Sequence, residues 1–273
     1  MTFTGVAPGQ SSLRALEWLA RVGASPSLPL QLVMGCSERV ARDHVSRLEA
    51  AGLVQRTPMR RGDGALVMVT RKGALEAGHP ARRALRSLSP TGWAHASACA
   101  WVSAWLHLRG REWVSEREIL DDDFWRFDLR YQDHRGTVRR THRPDLGVHT
   151  LSGPVAIEVE LQPKTATRLR GICWMYAQLS EDDEAPLNGV IYITDRHDVA
   201  RLVTRSAASV GHDSLSLRTL DNVIQQTRTA AGVPVVDEAV TGASCCGTVM
   251  PSTRDAAGLS GVIVPQRGDD RSQ

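Results

Sequence analysis

The chain is nearly without lysine. Of its 33 basic residues only Lys72 and Lys164 are lysine, which leaves 31 arginines. Nucleotide bias in a GC-rich genome accounts for most of that skew. The two lysines that survive it mark positions where a guanidinium would not serve. Long apolar runs are missing as well. No stretch reaches the roughly 20 residues of a membrane span, and no basic segment followed by an apolar stretch stands at Met1. The five cysteines (Cys36, Cys99, Cys173, Cys245, Cys246) are odd in number and form no C-x-x-C pair of the kind that holds zinc. These absences point to a reducing cytoplasm and to no membrane partner. Neither a G-x-x-x-x-G-K-[ST] loop nor a G-x-G-x-x-G turn is present, so no nucleotide cofactor is expected.

What is there is an ordinary globular composition, 42% hydrophobic and 23% charged over 273 residues, enough for about two domains. The charge is uneven. Residues 1–85 carry 12 Lys/Arg against 6 Asp/Glu, while the rest of the chain is slightly acidic against an overall net charge of +3. A basic module joined to a mildly acidic one suggests nucleic acid as the partner of the first.

Within the basic part, Leu13, Leu16, Leu19 and Ala20 recur at helical spacing up to Gly23. A short helix over 29–34 ends at Gly35. Ser37 is placed to cap a third helix running to Gly52, with Val40, His44, Val45, Leu48 and Ala51 on one face and Arg39, Arg42, Ser46 and Arg47 on another. His44, among apolar neighbours, reads as a packed residue. Two strands, LVQRT and ALVMVT, flank the basic turn Met59-Arg60-Arg61-Gly62-Asp63-Gly64, and Thr70-Arg71-Lys72-Gly73 opens a further helix. Three helices and a two-stranded ribbon with a basic tip follow the order of a winged helix-turn-helix. The phrase Ser-Glu-Arg-Val-Ala-Arg…Leu-Glu-Ala-Ala-Gly-Leu-Val…Thr-Arg-Lys-Gly resembles the winged-helix DNA-binding families of bacterial regulators. On that resemblance Arg39, Arg42, Ser46 and Arg47 face the major groove and Arg60 and Arg61 the backbone. The other reading is a winged helix used for protein contacts, its arginines solvated. A single winged helix reads a short site, which is compatible with a homodimer.

After a basic connection over 81–90, the second part (91–225) reads as a long Ala/Trp-rich helix, a short helix opened by the S-x-x-E box Ser115–Glu118, and three strands over 124–132, 139–149 and 155–161. A helix, a buried strand, a helix and a last strand follow. The order describes an α+β or α/β chain with an αβββαβ core. Residues 234–273, rich in Gly, Ser, Thr, Asp and Ala, read as a disordered tail.

Glu158 and Glu160 stand at i and i+2, on one face of a strand. A partly covered sheet seldom places two carboxylates together without a partner. Asp145 on the preceding strand could complete a cluster able to hold Mg²⁺ or Mn²⁺ and act on a phosphodiester, while Glu116 at a helix start could add a further acid. The alternatives are a solvated strand face and, for Glu116, favourable interaction with the helix dipole. Arg168 and Arg170 read as an exposed helix face, with phosphate contact as the other option. His134, His142 and His149 lack the paired spacing of a histidine relaxase.

Arg143-Pro144-Asp145, a gap, and Glu158-Val159-Glu160 are similar to the PD-(D/E)xK signature of restriction-endonuclease-like proteins. More narrowly, residues 10–222 resemble the bacterial replication-relaxation family, through Trp-Ala-His95, Trp113–Glu118, His142-Arg143-Pro144-Asp145 and Glu158-Val-Glu160 with Lys164 following. The resemblance implies a winged helix joined to an endonuclease-like domain, in plasmid or mobile-element replication or transfer. It implies Asp145 and Glu158 as metal ligands and Glu116 as an auxiliary acid. One departure stands out. The lysine expected two positions after Glu158 is Glu160, so Lys164 would have to swing in from the following loop. Two activities stay open: metal-dependent nicking of DNA, and non-catalytic regulation of transcription or replication on an inactive nuclease scaffold.

Overall fold

The computed structural model describes residues 9–58, 65–85, 87–181 and 186–233. Its first part begins with α1 (Gln10–Val22), which ends at Gly23 with φ of 82°. The strand β1 (Ala24–Pro26), α2 (Ser27–Met34) and α3 (Glu38–Ala50) follow. Gly35 closes α2 in the left-handed conformation, and the Ser37 hydroxyl caps α3 by accepting from the Val40 N–H. Val40 itself faces solvent at 41% exposure, whereas Ala41, Val45 and Leu48 make the packed stripe. His44 is half-buried, its Nδ1 2.8 Å from the Ser12 hydroxyl on α1.

Two strands, β2 (Val54–Pro58) and β3 (Ala65–Val69), pair antiparallel, and β1 adds to the free edge of β3 to give the order β1-β3-β2. The helix α4 (Arg71–Glu76) is capped by Thr70, whose hydroxyl also donates to the Gly52 and Leu53 carbonyls. Gly73 sits so close to that junction that a Cβ would fall 1.9 Å from the Leu53 oxygen. Lys72 Nζ donates to the Ala51 carbonyl at 2.8 Å, at the negative end of α3. A compact ammonium suits a single carbonyl, which gives one of the two lysines a role. The turn containing Arg60 and Arg61, and the tail over 234–273 with Cys245 and Cys246, lie outside the described residues.

The second part starts with α5 (Pro90–Leu108), β4 (Glu112–Ser115) and α6 (Glu116–Ile119), where Ser115 and Glu118 form the anticipated capping box. After a 3₁₀ turn over Asp123–Trp125 come β5 (Phe127–Asp133), β6 (Gly136–His142), β7 (Leu146–Thr150) and β8 (Gly153–Val159). The chain then alternates through α7 (Ala166–Gln178), β9 (Gly189–Ile193), α8 (His197–Ala208), β10 (Leu215–Arg218) and α9 (Leu220–Ala230). Five strands form one mixed sheet in the order β10-β9-β8-β7-β4, parallel from β10 to β8 and antiparallel beyond. The whole is a mixed α+β arrangement. No helix among the described residues is long and apolar enough to cross a membrane.

The strands differ from the sequence reading in one respect that matters for the site. The single strand expected over 139–149 is two, and β5 with β6 forms a separate hairpin. Pro144, which has no N–H to give a ladder, falls at the break. The chain leaves one sheet at His142 and joins the other at Leu146. The hairpin lies on α7, packing Phe127, Leu129 and Tyr131 against Leu169, Ile172 and Tyr176. Trp125, fully buried, covers Gly147 on β7; a Cβ there would lie 2.4 Å from the indole ring.

The described residues belong to one compact unit, and a half-buried polar joint shows how its two parts meet. Arg21 at the end of α1 donates to both oxygens of Glu118 at 2.9 and 3.2 Å, donates to the Trp113 carbonyl, and lies 4.0 Å over the Trp113 ring. The Ser115 hydroxyl donates back to the Arg21 carbonyl at 2.6 Å. Burial works against the Glu118 charge, but the Arg21 guanidinium and the Ser115 N–H hold its carboxyl below the ordinary value of 4.5. A depressed folded pKa stabilises above the unfolded value and is lost as pH falls through the folded one. Thermal melts between about pH 3 and about pH 7 are therefore expected to fall toward acid, and Glu118→Gln to flatten that slope while lowering stability at neutral pH.

Candidate functional site

The segment 143–145 that steps between sheets, the end of β8, the loop to α7 and the first turns of α5 enclose a cavity of about 760 Å³. Asp145, Glu158, Glu160 and Lys164 all line it, together with His95, His142, Arg143 and Arg168. Strand alternation puts Glu158 on the α7 side of the sheet, where it is 3% exposed. Its Oε1 accepts from the Tyr176 hydroxyl at 2.5 Å and lies 2.8 Å from His142 Nε2. Burial resists the charge, yet His142, the Lys164 ammonium and the Tyr176 hydroxyl hold the Glu158 carboxyl below its ordinary value. Burial, with Glu158 beside it, drives Tyr176 well above the usual phenol range, so it stays a donor. Glu158 is thus an ionised carboxylate fixed from one side.

Asp145 is fixed by backbone. Its Oδ2 accepts the Val159 N–H at 2.7 Å, and its own N–H donates to the Ile157 carbonyl at 3.0 Å. This bonds the side chain to β8 beside Glu158. Its Oδ1 lies 3.2 Å from His95 Nε2 on α5. Hydrogen bonds to Asp145 and then Cys99 push His95 up to about 11 against the effect of burial, so this imidazole is a cation at neutral pH. Glu160 continues the line of β8, its N–H bound to the Ile193 carbonyl at 2.9 Å, and its carboxylate ion-pairs with Lys164. The Lys164 side chain reaches back from the loop, which accounts for the second retained lysine. Arg143 and Arg168 each bring a guanidinium whose Nε is out of solvent and has no hydrogen-bond partner among the described residues.

Glu116 does not line this cavity. It is exposed at the start of α6 and borders a neighbouring cleft of about 230 Å³ that shares His95. On α3, Arg39, Arg42, Ser46 and Arg47 are all exposed. Arg42 pairs with Glu38 at 2.9 Å, Arg47 donates to the Asp43 carbonyl, and Ser46 accepts from Arg56 at 2.9 Å. The reading from sequence did not select His95, His142, Arg143 or Tyr176 as site residues. The contiguous His142-Arg143-Pro144-Asp145 was a usable signal for two of them. Tyr176 is both a core residue and a partner of Glu158.

The three carboxylates are hard oxygen donors of the type Mg²⁺ and Mn²⁺ prefer. Among the described residues no three acidic, imidazole or thiol side chains already converge on one metal position. The donor chemistry fits such a cation, with Asp145, just before β7, hydrogen-bonded to the β8 backbone on either side of Glu158. Cations around a carboxylate pair also suit a phosphodiester, whose charge the guanidinium groups would meet.

No family model and no curated protein matches the chain. Among solved structures it is similar to protein VC1899 from Vibrio cholerae, with 13% identity over 82% of this chain and a TM-score of 0.31. The chain spans about 56% of that protein's length, and a likeness at this level carries no argument about function.

Proposed function

We propose that the chain is a DNA-binding protein of plasmid or mobile-element replication or transfer, in which a winged helix selects a site and a restriction-endonuclease-like core nicks it. The observation that carries this reading is the convergence of Asp145, Glu158, Glu160 and Lys164 on one cavity that Arg143 and Arg168 also line, each with an Nε that has no hydrogen-bond partner among the described residues. The mobile-element setting rests on the resemblance in sequence alone.

In this mechanism α3 enters the major groove with Arg39, Arg42, Ser46 and Arg47 toward base edges, and Arg60 and Arg61 meet the backbone. Asp145 and Glu158 would hold Mg²⁺ or Mn²⁺. That cation, when bound, supplies charge stabilisation to the phosphodiester transition state and acidifies a water. Arg143 and Arg168, which line the cavity, orient the phosphate through their guanidinium groups. Glu160, restrained by Lys164, aligns the attacking water. Tyr176 and His142 keep Glu158 ionised and in place.

One observation favours the second reading, a non-catalytic regulator. The residue at the usual lysine position is Glu160, and Lys164 is engaged in neutralising it. Asp145→Ala separates the two. On the nuclease reading it abolishes metal-dependent cleavage and leaves the gel shift of DNA intact. Wild-type protein that shifts DNA but leaves it uncut with Mg²⁺ and with Mn²⁺ selects the regulator.

A further inference from the structure

A second groove lies on the far side of the first turns of α7, between that helix and β5. It holds about 330 Å³ and is lined by Arg130, Tyr131, Gln132, Thr167, Arg170 and Trp174, among others, with no acidic side chain. Trp174 is 47% exposed, whereas Trp18, Trp101, Trp105, Trp113 and Trp125 are buried and Trp93 is half-buried. Arg170 and Trp174 are one turn apart on α7 and so share a face. The groove exists because β5 comes very close to the helix. A Cβ on Gly171 would lie 2.7 Å from the Tyr131 Cβ and 3.1 Å from the Arg130 carbonyl.

The charge here is unbalanced. Arg130, which lines the groove, faces Arg139 across the hairpin ladder, an arrangement of like charges that weakens a sheet. Arg139 itself does not line the groove, and Asp128 stands two residues before Arg130 on the same strand face. No carboxylate among the described residues pairs with Arg130, Arg139 or Arg170. The hairpin then runs through Thr141, His142 and Arg143 into the carboxylate cavity. Likewise Arg168 lines the cavity while Thr167 and Arg170 line the groove, so a single helical turn separates the two.

We propose that this groove binds single-stranded nucleic acid, with one unpaired base stacked on Trp174 and its flanking phosphates held by Arg130 and Arg170. An exposed indole flanked by guanidinium groups matches the two chemical faces of a nucleotide, and stacking requires a base free of its partner strand. The inference rests on the nucleic-acid reading of the cavity and adds the strand state of the substrate there. The groove holds the strand adjoining the scissile phosphate.

The test is fluorescence anisotropy of the full chain with a labelled thymidine oligonucleotide of about 12 nucleotides, a duplex of equal length and a labelled acidic peptide. Trp174→Ala is expected to weaken single-strand binding roughly tenfold, the effect of one lost stacking contact, and to leave duplex binding unchanged. Trp174→Phe keeps most of the affinity. Arg130→Gln with Arg170→Gln lowers the salt slope by about 1.4, the signature of two lost phosphate contacts. Circular dichroism on each variant verifies the fold. Unchanged single-strand affinity in Trp174→Ala, with wild-type protein still binding DNA, overturns the groove proposal alone. Binding of the peptide in place of the oligonucleotide, abolished by Trp174→Ala, also overturns it. Wild-type protein that binds neither form of DNA removes the nucleic-acid reading and the groove proposal together.

Discussion

Glu158→Gln is expected to lower metal-dependent DNA cleavage by on the order of 10³-fold or more, with DNA binding changed by no more than about twofold. The amide matches the carboxylate in shape and can still accept from Tyr176, so the fold survives while the charge is lost. Glu158→Ala is a poorer probe. It strands the His142 and Tyr176 side chains in a buried site, and leaving a buried polar group without its partner costs about 1–3 kcal/mol each. Inactivity of the alanine variant therefore mixes unfolding with chemistry, and the glutamine variant does not. The measurement is single-turnover nicking of supercoiled DNA beside a melting curve for each protein. Cleavage retained by a folded Glu158→Gln protein contradicts the assignment of Glu158.

The second large effect is on stability. Trp125→Ala is expected to cost about 3–5 kcal/mol, the usual range for deleting a buried aromatic. In a chain of this size that lowers Tm by roughly 6–20 °C. The indole is fully buried, meets Phe124 edge-on at 5.0 Å between centroids, and fills the space over Gly147. Because Gly147 is two residues from Asp145, which immediately precedes β7, loosening this contact also reaches the cavity. Gly147→Ala is the complementary change, since its Cβ would meet the ring at 2.4 Å. The two sites share one contact, so their effects should not add. Gly147→Ala combined with Trp125→Phe is expected to be less damaging than the sum of the separate changes. Additive melting temperatures would show that the indole does not rest on Gly147.

The parts of this architecture that were legible in the sequence are local. Gly23, Gly35, Ser37, Thr70 and the Ser115–Glu118 box mark their helix ends through chemistry acting within a few residues. What escaped is mostly non-local. The strands β1 and β4 have three and four residues, too few for an alternating pattern, and exist because β3 and β7 offer them an edge. The segregation of β5 and β6 into their own hairpin depends on what α7 covers, although Pro144 marked the break. At the site, the i, i+2 spacing placed Glu158 and Glu160 together. By contrast, the meeting of His95 with Asp145 spans 50 positions, and that of Glu158 with Tyr176 spans 18. No periodicity reports such contacts. Val40 shows the reverse error, an apolar residue on the expected face that ends up in solvent.

Purified protein incubated with supercoiled plasmid and with single-stranded DNA, in Mg²⁺, Mn²⁺ or EDTA, tests the central claim most directly. The account predicts open-circular product that appears with either metal, disappears with EDTA and is absent with Glu158→Gln. Plasmid that stays supercoiled in every metal, while a gel shift shows it bound, would contradict the nuclease assignment and leave a DNA-binding regulator.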